Sequence, residues 1–151
     1  MDDSERALAA ATRLGLAHSV VRHGPVLSLE EAAAARGLRP DQVVKTIVVR
    51  LSDDDYRLVL VPGDREIAWP KLRALLGVSR LSMPSADVAL AATGYVRGTI
   101  TPLGSTTAWP VVIDASLTGP VSIGGGAPGV ALTVDAAELA AVLEATVADV
   151  T

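Results

Sequence analysis

Apolar and polar positions along this chain sort it into short strands and short helices. Residues 44–51, Val-Val-Lys-Thr-Ile-Val-Val-Arg-Leu when the preceding Val43 is included, form the clearest strand: a β-branched run with a single cation near its start. The acidic Asp53-Asp54-Asp55 turn sends the chain back through a second strand over 56–62, so the two read as a hairpin. Shorter strands are predicted over 17–23, 111–114, 120–123 and 130–134, and 147–150 reads as a segment pairing at a sheet edge.

Helical spacing predicts a first helix over 4–14, capped by Ser4, with Leu8, Ala11 and Leu14 on one face. A second runs over 28–36, where Ser28 and Glu31 have the spacing of a capping box and Gly37 stands at the far end. Pro40 starts a short helical turn to Val43. Trp69-Pro70 opens a helix ending near Leu76-Gly77, Ser85 caps one reaching Ala92, and Asp135 caps a last one reaching Ala145 that buries Leu139, Val142 and Leu143. Strands and helices are interspersed without a strict βαβ rhythm, and there is no repeat or linker. The expected architecture is α/β, with a mixed, mainly antiparallel sheet or barrel and helices packed outside, in one domain over residues 1–151.

Composition narrows the chemistry. Half of the 151 residues are hydrophobic, yet Phe is absent and Trp and Tyr number two each, so the core must be built from Val, Leu, Ile and Ala. With no cysteine there is no disulfide, thiolate metal site or cysteine nucleophile, and two histidines are too few for a histidine metal cluster. No apolar run has the length to span a bilayer, and the acidic start is unlike a signal peptide, which leads to the expectation of a cytoplasmic protein away from membranes. A net charge of −4 argues against broad electrostatic binding to duplex DNA, while leaving room for a local pocket that takes one nucleotide end.

Two features stand out from ordinary folding signals. Residues 93–104 (Thr-Gly-Tyr-Val-Arg-Gly-Thr-Ile-Thr-Pro-Leu-Gly) carry three glycines and a proline, which makes either a tight connection or a shaped loop whose peptide groups face a ligand. Lys45, one of two lysines, lies inside the apolar strand on the face of Ile47 and Val49, opposite Thr46, Val48 and Arg50. Its ammonium either snorkels to water or meets a polar cavity, because leaving it unpaired in the core is costly. His18 and His23 read as strand-end residues, Asp64-Arg65-Glu66 as either a ligand contact or, the commoner case, a surface ion-pair segment, and the Gly124-Gly125-Gly126 loop precedes a strand and so is no phosphate-binding loop. No Ser–His–Asp order or carboxylate pair is evident. A hydrolase built on this chain would position water with backbone groups and a lysine.

That combination resembles the bacterial YbaK/EbsC family of aminoacyl-tRNA deacylases, related to the editing domain of prolyl-tRNA synthetases. The resemblance rests on Val-Val-Lys45-Thr46 opening a strand, Val-Pro-Gly63-Asp-Arg65 after the return strand, Thr93-Gly-Tyr95 leading into Gly98-Thr-Ile-Thr-Pro102, and the later glycine loop. It implies hydrolysis of the ester between a wrong amino acid and tRNA, without a cofactor or metal, with an aminoacyl-tRNA 3′ end and an aminoacyl-tRNA synthetase as partners. It also implies Lys45 and Gly98 as catalytic positions and Thr46, Thr99, Ile100, Thr101, Pro102, Gly124 and Gly125 as substrate contacts. Members acting on cysteinyl-tRNA carry a small hydroxyl residue and basic residues around the paired glycines, where this chain has Gly124 and Ala127-Pro128. The departure counts against cysteine specificity. The expected function is trans-editing of tRNA mischarged with a small amino acid, such as tRNA-Pro; the alternative is a non-catalytic module that binds aminoacyl-tRNA or a synthetase through the same pocket.

Overall fold

The computed structural model describes residues 2–151. The first helix, α1, spans Asp3–Arg13, and its cap is Asp2 rather than Ser4. The Asp2 carboxylate accepts from the Glu5 N–H at 2.8 Å while the Glu5 carboxylate accepts from the Asp2 N–H at 3.1 Å, a complete capping box. These bonds hold the Asp2 carboxyl below the usual carboxylate range. Ser4, two residues past the cap position, is buried instead and donates to Asp2 at 2.7 Å. The helix buries Ala7, Ala10 and Ala11, and Leu8 packs half-buried against the same cluster, whereas Leu14 faces outward. Of the expected face, Ala11 and Leu8 pack inward, and Ala7 and Ala10 take the place of Leu14.

Strand β1 (Ser19–Arg22) leads to α2 (Leu29–Ala35), capped by Ser28. The Glu31 carboxylate takes the N–H of Leu27, one residue before the position a capping box uses. A 3-10 turn at Pro40–Gln42 then delivers the chain to the hairpin β2 (Val44–Ser52) and β3 (Asp55–Pro62). Helices α3 (Trp69–Leu76) and α4 (Ala86–Thr93) follow, the latter capped by Ser85. Strands β4 (Val111–Asp114), β5 (Pro120–Gly124) and β6 (Val130–Asp135), helix α5 (Ala136–Leu143) and the short β7 (Thr146–Ala148) complete the order.

The strands make two sheets, β1-β6-β5 wholly antiparallel and β2-β3-β4-β7 with one antiparallel and two parallel pairings. A parallel bridge between Val43 and Ser122 joins them at one corner. β2, β7, β1 and β5 all remain edges, so of the two expected arrangements the mixed sheets form and the barrel does not close among the described residues. No helix among those residues is long and apolar enough to cross a membrane.

Strand alternation divides the core. Val48, Leu58, Leu60 and Ile113 point into a cluster shared with the three-stranded sheet, α1, α4 and α5. Val49, Val59, Val61 and Val112 point the other way, against Leu72 of α3, Ile67 and Val150. Both clusters are aliphatic, with Tyr95 the largest fully buried side chain.

One buried carboxylate ties the C-terminal segment to this frame. Asp114, 1% exposed, accepts from the Val150 N–H at 2.9 Å, from the Ser116 N–H at 3.2 Å, from the Thr151 hydroxyl at 3.2 Å and from the Ser116 hydroxyl. Val150 in turn accepts from the Ala68 N–H at 2.7 Å at the start of α3. Replacing Asp114 by Ala leaves several buried donors without an acceptor, so unfolding stability should fall by about 2–3 kcal/mol. Chemical denaturation checks the figure, and amide exchange should accelerate first in β7.

Candidate functional site

Strand β2 is an edge of its sheet, paired only to β3 along most of its length. Its other side is touched at two points, the Val43–Ser122 bridge and an antiparallel bridge in which Arg50 and Ser82 exchange both backbone hydrogen bonds at 2.8 and 3.1 Å. Arg50 thus turns its peptide groups away from β3. Backbone groups alternate sides along a strand, so those of Thr46 and Val48 turn away from β3 as well. Between the two bridges the strand edge is open, and a cavity of about 630 Å³ lies there.

Lys45, Thr46, Ile47 and Val48 border this cavity. Met83, Pro84, Ala86 and Ala89 line it from the start of α4, Arg97, Gly98 and Ile100 from the following loop, and Glu66 from the loop after β3. The walls are mostly aliphatic and the charges are few. Lys45 donates to the Glu66 carboxylate at 2.9 Å; the lysine side chain is 32% exposed and that of Glu66 is 88% exposed. An ion pair this open to water is worth at most about 1 kcal/mol and exchanges readily. The Thr46 hydroxyl oxygen, by contrast, is buried and has no partner among the described residues.

The loop over residues 93–104 is held from outside. Arg6 of α1 donates from Nε to the Gly104 carbonyl and from Nη2 to the Gly94 carbonyl, each at 2.8 Å, and so pins both ends with one guanidinium. The same group stands 4.3 Å over the Tyr95 ring. The Tyr95 hydroxyl donates to Leu103 at 2.6 Å across the neck of the loop, and burial raises its pKa, which keeps it a neutral donor at physiological pH. At the tip, the Thr99 N–H closes a turn on Val96 at 3.0 Å, with Gly98 at φ +90°. No neighbouring atom would obstruct a side chain at Gly98; the backbone conformation is what calls for glycine. No backbone carbonyl among the described residues accepts from the N–H of Gly98 or Ile100.

The positions singled out in the sequence divide between the cavity and its support. Lys45, Thr46, Gly98 and Ile100 border it. Thr99 is buried and donates its hydroxyl to Val96 at 2.8 Å; Thr101 is buried and accepts from the Leu103 N–H at 3.4 Å; Pro102 is buried. Gly124 lies behind the loop, where a side chain would come within 3.0 Å of the Ile100 carbonyl, and Gly125 donates to Val130 at 2.9 Å. Glu66, Arg97 and the α4 residues were not anticipated as a group. For the first, the signal was the ligand-contact reading of Asp64-Arg65-Glu66. Residues 79–82 of the segment leading to Met83, Arg80 among them, line a neighbouring cavity of about 730 Å³ together with Arg73 and with Arg50, which is paired to Asp53 on the same wall. Among the described residues no cluster of His, Cys, Asp and Glu has the makings of a metal site.

A family model described as an aminoacyl-tRNA editing domain matches residues 23–142. The chain is 37% identical over 92 residues to the proline–tRNA ligase of Geobacter sp. (strain M21) and 36% identical over 92 residues to that of Citrifermentans bemidjiense, 61% of this chain in each case. It spans only 16% of the length of either ligase. Among solved structures, a proposed trans-editing enzyme for prolyl tRNA synthetase superposes with a TM-score of 0.91 at 27% identity, covering 100% of this chain and 98% of the other.

Arg6 acts on the loop, not on the cavity, and its replacement should separate the two. Arg6→Ala is expected to cost about 1–3 kcal/mol of stability through the two lost charged hydrogen bonds. Proteolysis should become faster within residues 93–104 while the rest of the chain stays protected. Uniform protection throughout would show that the loop keeps its shape without the guanidinium.

Proposed function

Because this chain belongs to the aminoacyl-tRNA editing domain family, we propose that it is a trans-acting hydrolase that cleaves the ester between a small amino acid and the terminal ribose of a mischarged tRNA, with tRNA-Pro as the carrier. The observation that carries this reading is the meeting of Lys45, Thr46 and Gly98 around one aliphatic cavity at an open strand edge. Similarity to proline–tRNA ligases and to a structure of a proposed trans-editing enzyme supports the choice of carrier. On this reading the protein works in the cytoplasm, where aminoacyl-tRNAs are made and used.

Hydrolysis joins a water oxygen to the carbonyl carbon, breaks the bond from that carbon to the ribose oxygen and delivers a proton to the departing ribose. An aminoacyl ester is already activated, so orientation of the two reactants and relief of the negative charge growing on the carbonyl oxygen supply most of what is needed. The Lys45 ammonium meets the anionic terminal nucleotide and fixes where the ester lies. Peptide N–H groups of the Gly98 loop and of the β2 edge, Thr46 included, serve the growing oxyanion. The arginines of the neighbouring cleft offer charge to the phosphate backbone leading away from the ester.

Ile47, Val48, Ala89 and Ile100 leave room for a short aliphatic side chain. Fit of that kind discriminates by only about 1–3 kcal/mol per methylene, so alanyl, seryl and cysteinyl esters should differ modestly. Single-turnover deacylation across a panel of mischarged tRNAs tests the proposal: small aminoacyl groups should be released, and release confined to phenylalanyl or tyrosyl groups would refute it. Tight binding of the same tRNAs with no release would favour the non-catalytic module.

Lys45→Ala should lower deacylation about 100-fold, the scale expected for loss of one positioned electrostatic group. Its folding stability should stay within about 1 kcal/mol of the parent, since only a solvent-exposed ion pair is lost. Lys45→Arg should recover little, because a planar fork does not replace a compact charge. Full activity in a well-folded Lys45→Ala protein would remove the lysine from the mechanism.

A further inference from the structure

Glu66 is the one carboxylate bordering the cavity, among two cations and otherwise uncharged residues. Its side chain is 88% exposed and contributes nothing to the core, and its bond at 2.9 Å is to the very lysine the proposed reaction uses. A carboxylate that merely occupied Lys45 would compete with the substrate for it. The substrate itself resolves this conflict. An aminoacyl ester carries a positive α-ammonium two bonds from the carbonyl carbon, and the nucleotide it is attached to carries negative phosphate. Lys45 and Glu66 present the complementary pair of charges side by side, so one ion pair in the free protein can become two in the complex without leaving either charge unpaired.

We propose, building on the editing function above, that Glu66 accepts the α-ammonium group of the aminoacyl ester and so selects substrates with a free amino group. The remaining ammonium donors have acceptors at hand. The outward-turned carbonyls of Thr46 and Val48 on the β2 edge lie along the same cavity. Ammonium recognition also fixes the rotation about the bond between the α-carbon and the carbonyl. An N-acylated amino acid, neutral and bulkier at that nitrogen, gains nothing from Glu66.

The test compares alanyl-tRNA with N-acetyl-alanyl-tRNA as substrates for the parent protein, Glu66→Ala and Glu66→Gln, each assayed by single-turnover deacylation. The parent should prefer the free amine. Loss of a charged hydrogen bond at an open rim predicts that kcat/KM for alanyl-tRNA falls about tenfold in Glu66→Ala. N-acetyl-alanyl-tRNA should be cleaved as before, so the preference collapses. Glu66→Gln, which keeps the acceptor but not the charge, should fall between. Equal losses on both substrates, as for a group that handles the attacking water, would overturn the proposal. Equal gains, as for simple release of Lys45, would overturn it too, as would a parent protein indifferent to acetylation. A parent inactive on every aminoacyl-tRNA would instead sink the editing function itself, and this assignment with it.

Discussion

Everything at the candidate site follows from a sheet edge that is left unpaired over a few residues. An exposed edge is normally a hazard, since its free N–H and C=O groups template further pairing, and proteins shorten, cover or charge such edges. Here β2 is closed off at both ends, by Ser122 near Val43 and by Ser82 at Arg50, and only the window around Thr46 and Val48 stays open. A window that short is too small for another strand to register against, yet wide enough for a small acyl group. The start of α4 and the glycine loop wall it in, and the lysine and glutamate at its rim keep it polar enough to resist apolar partners.

The loop opposite that edge owes its shape to a residue far away in the chain. Arg6 reaches carbonyls 88 and 98 positions along the chain, and the family model begins only at residue 23. Helix α1 therefore lies outside the part of the chain that the family model matches, while holding the loop that walls this chain's cavity. A guanidinium suits this task because its donors diverge in one plane and remain charged at any physiological pH.

Much of the fold was legible because the chain obeys local rules. The β-branched runs became strands, glycines ended helices, and Ser28, Ser85 and Asp135 capped where their spacing said they would. The failures are local competitions. Asp2 outdid Ser4 as a cap because it has a reciprocal partner in Glu5, and on α1 Ala11 and Leu8 pack as their spacing said while Leu14 gives way to Ala7 and Ala10. Whether a sheet or a barrel formed was not readable, since closure depends on pairing between distant edges. At the site, Lys45 announced itself as an ammonium among valines. Glu66 had only the weaker of two readings, Arg97 went unremarked inside the singled-out loop, and Arg6 carried no mark: charged residues in loops and on helix faces are the ordinary surface of any protein, and only the tertiary arrangement gathers them.

The alanine face of α1 has a mechanical consequence. Alanine lets the helix backbone settle close to the layer beneath it, and at Ala7, Ala10 and Ala11 no rotamer freedom is available to absorb a change in spacing. The distance from helix axis to loop is thus set by the smallest contacts in the core, and Arg6 transmits that distance to Gly94 and Gly104 as a rigid strut would. A bulkier residue beneath the helix would be felt as a displacement of the loop rather than as a local bulge. Tolerance to variation in this chain should then follow leverage on the strut more than distance from the cavity.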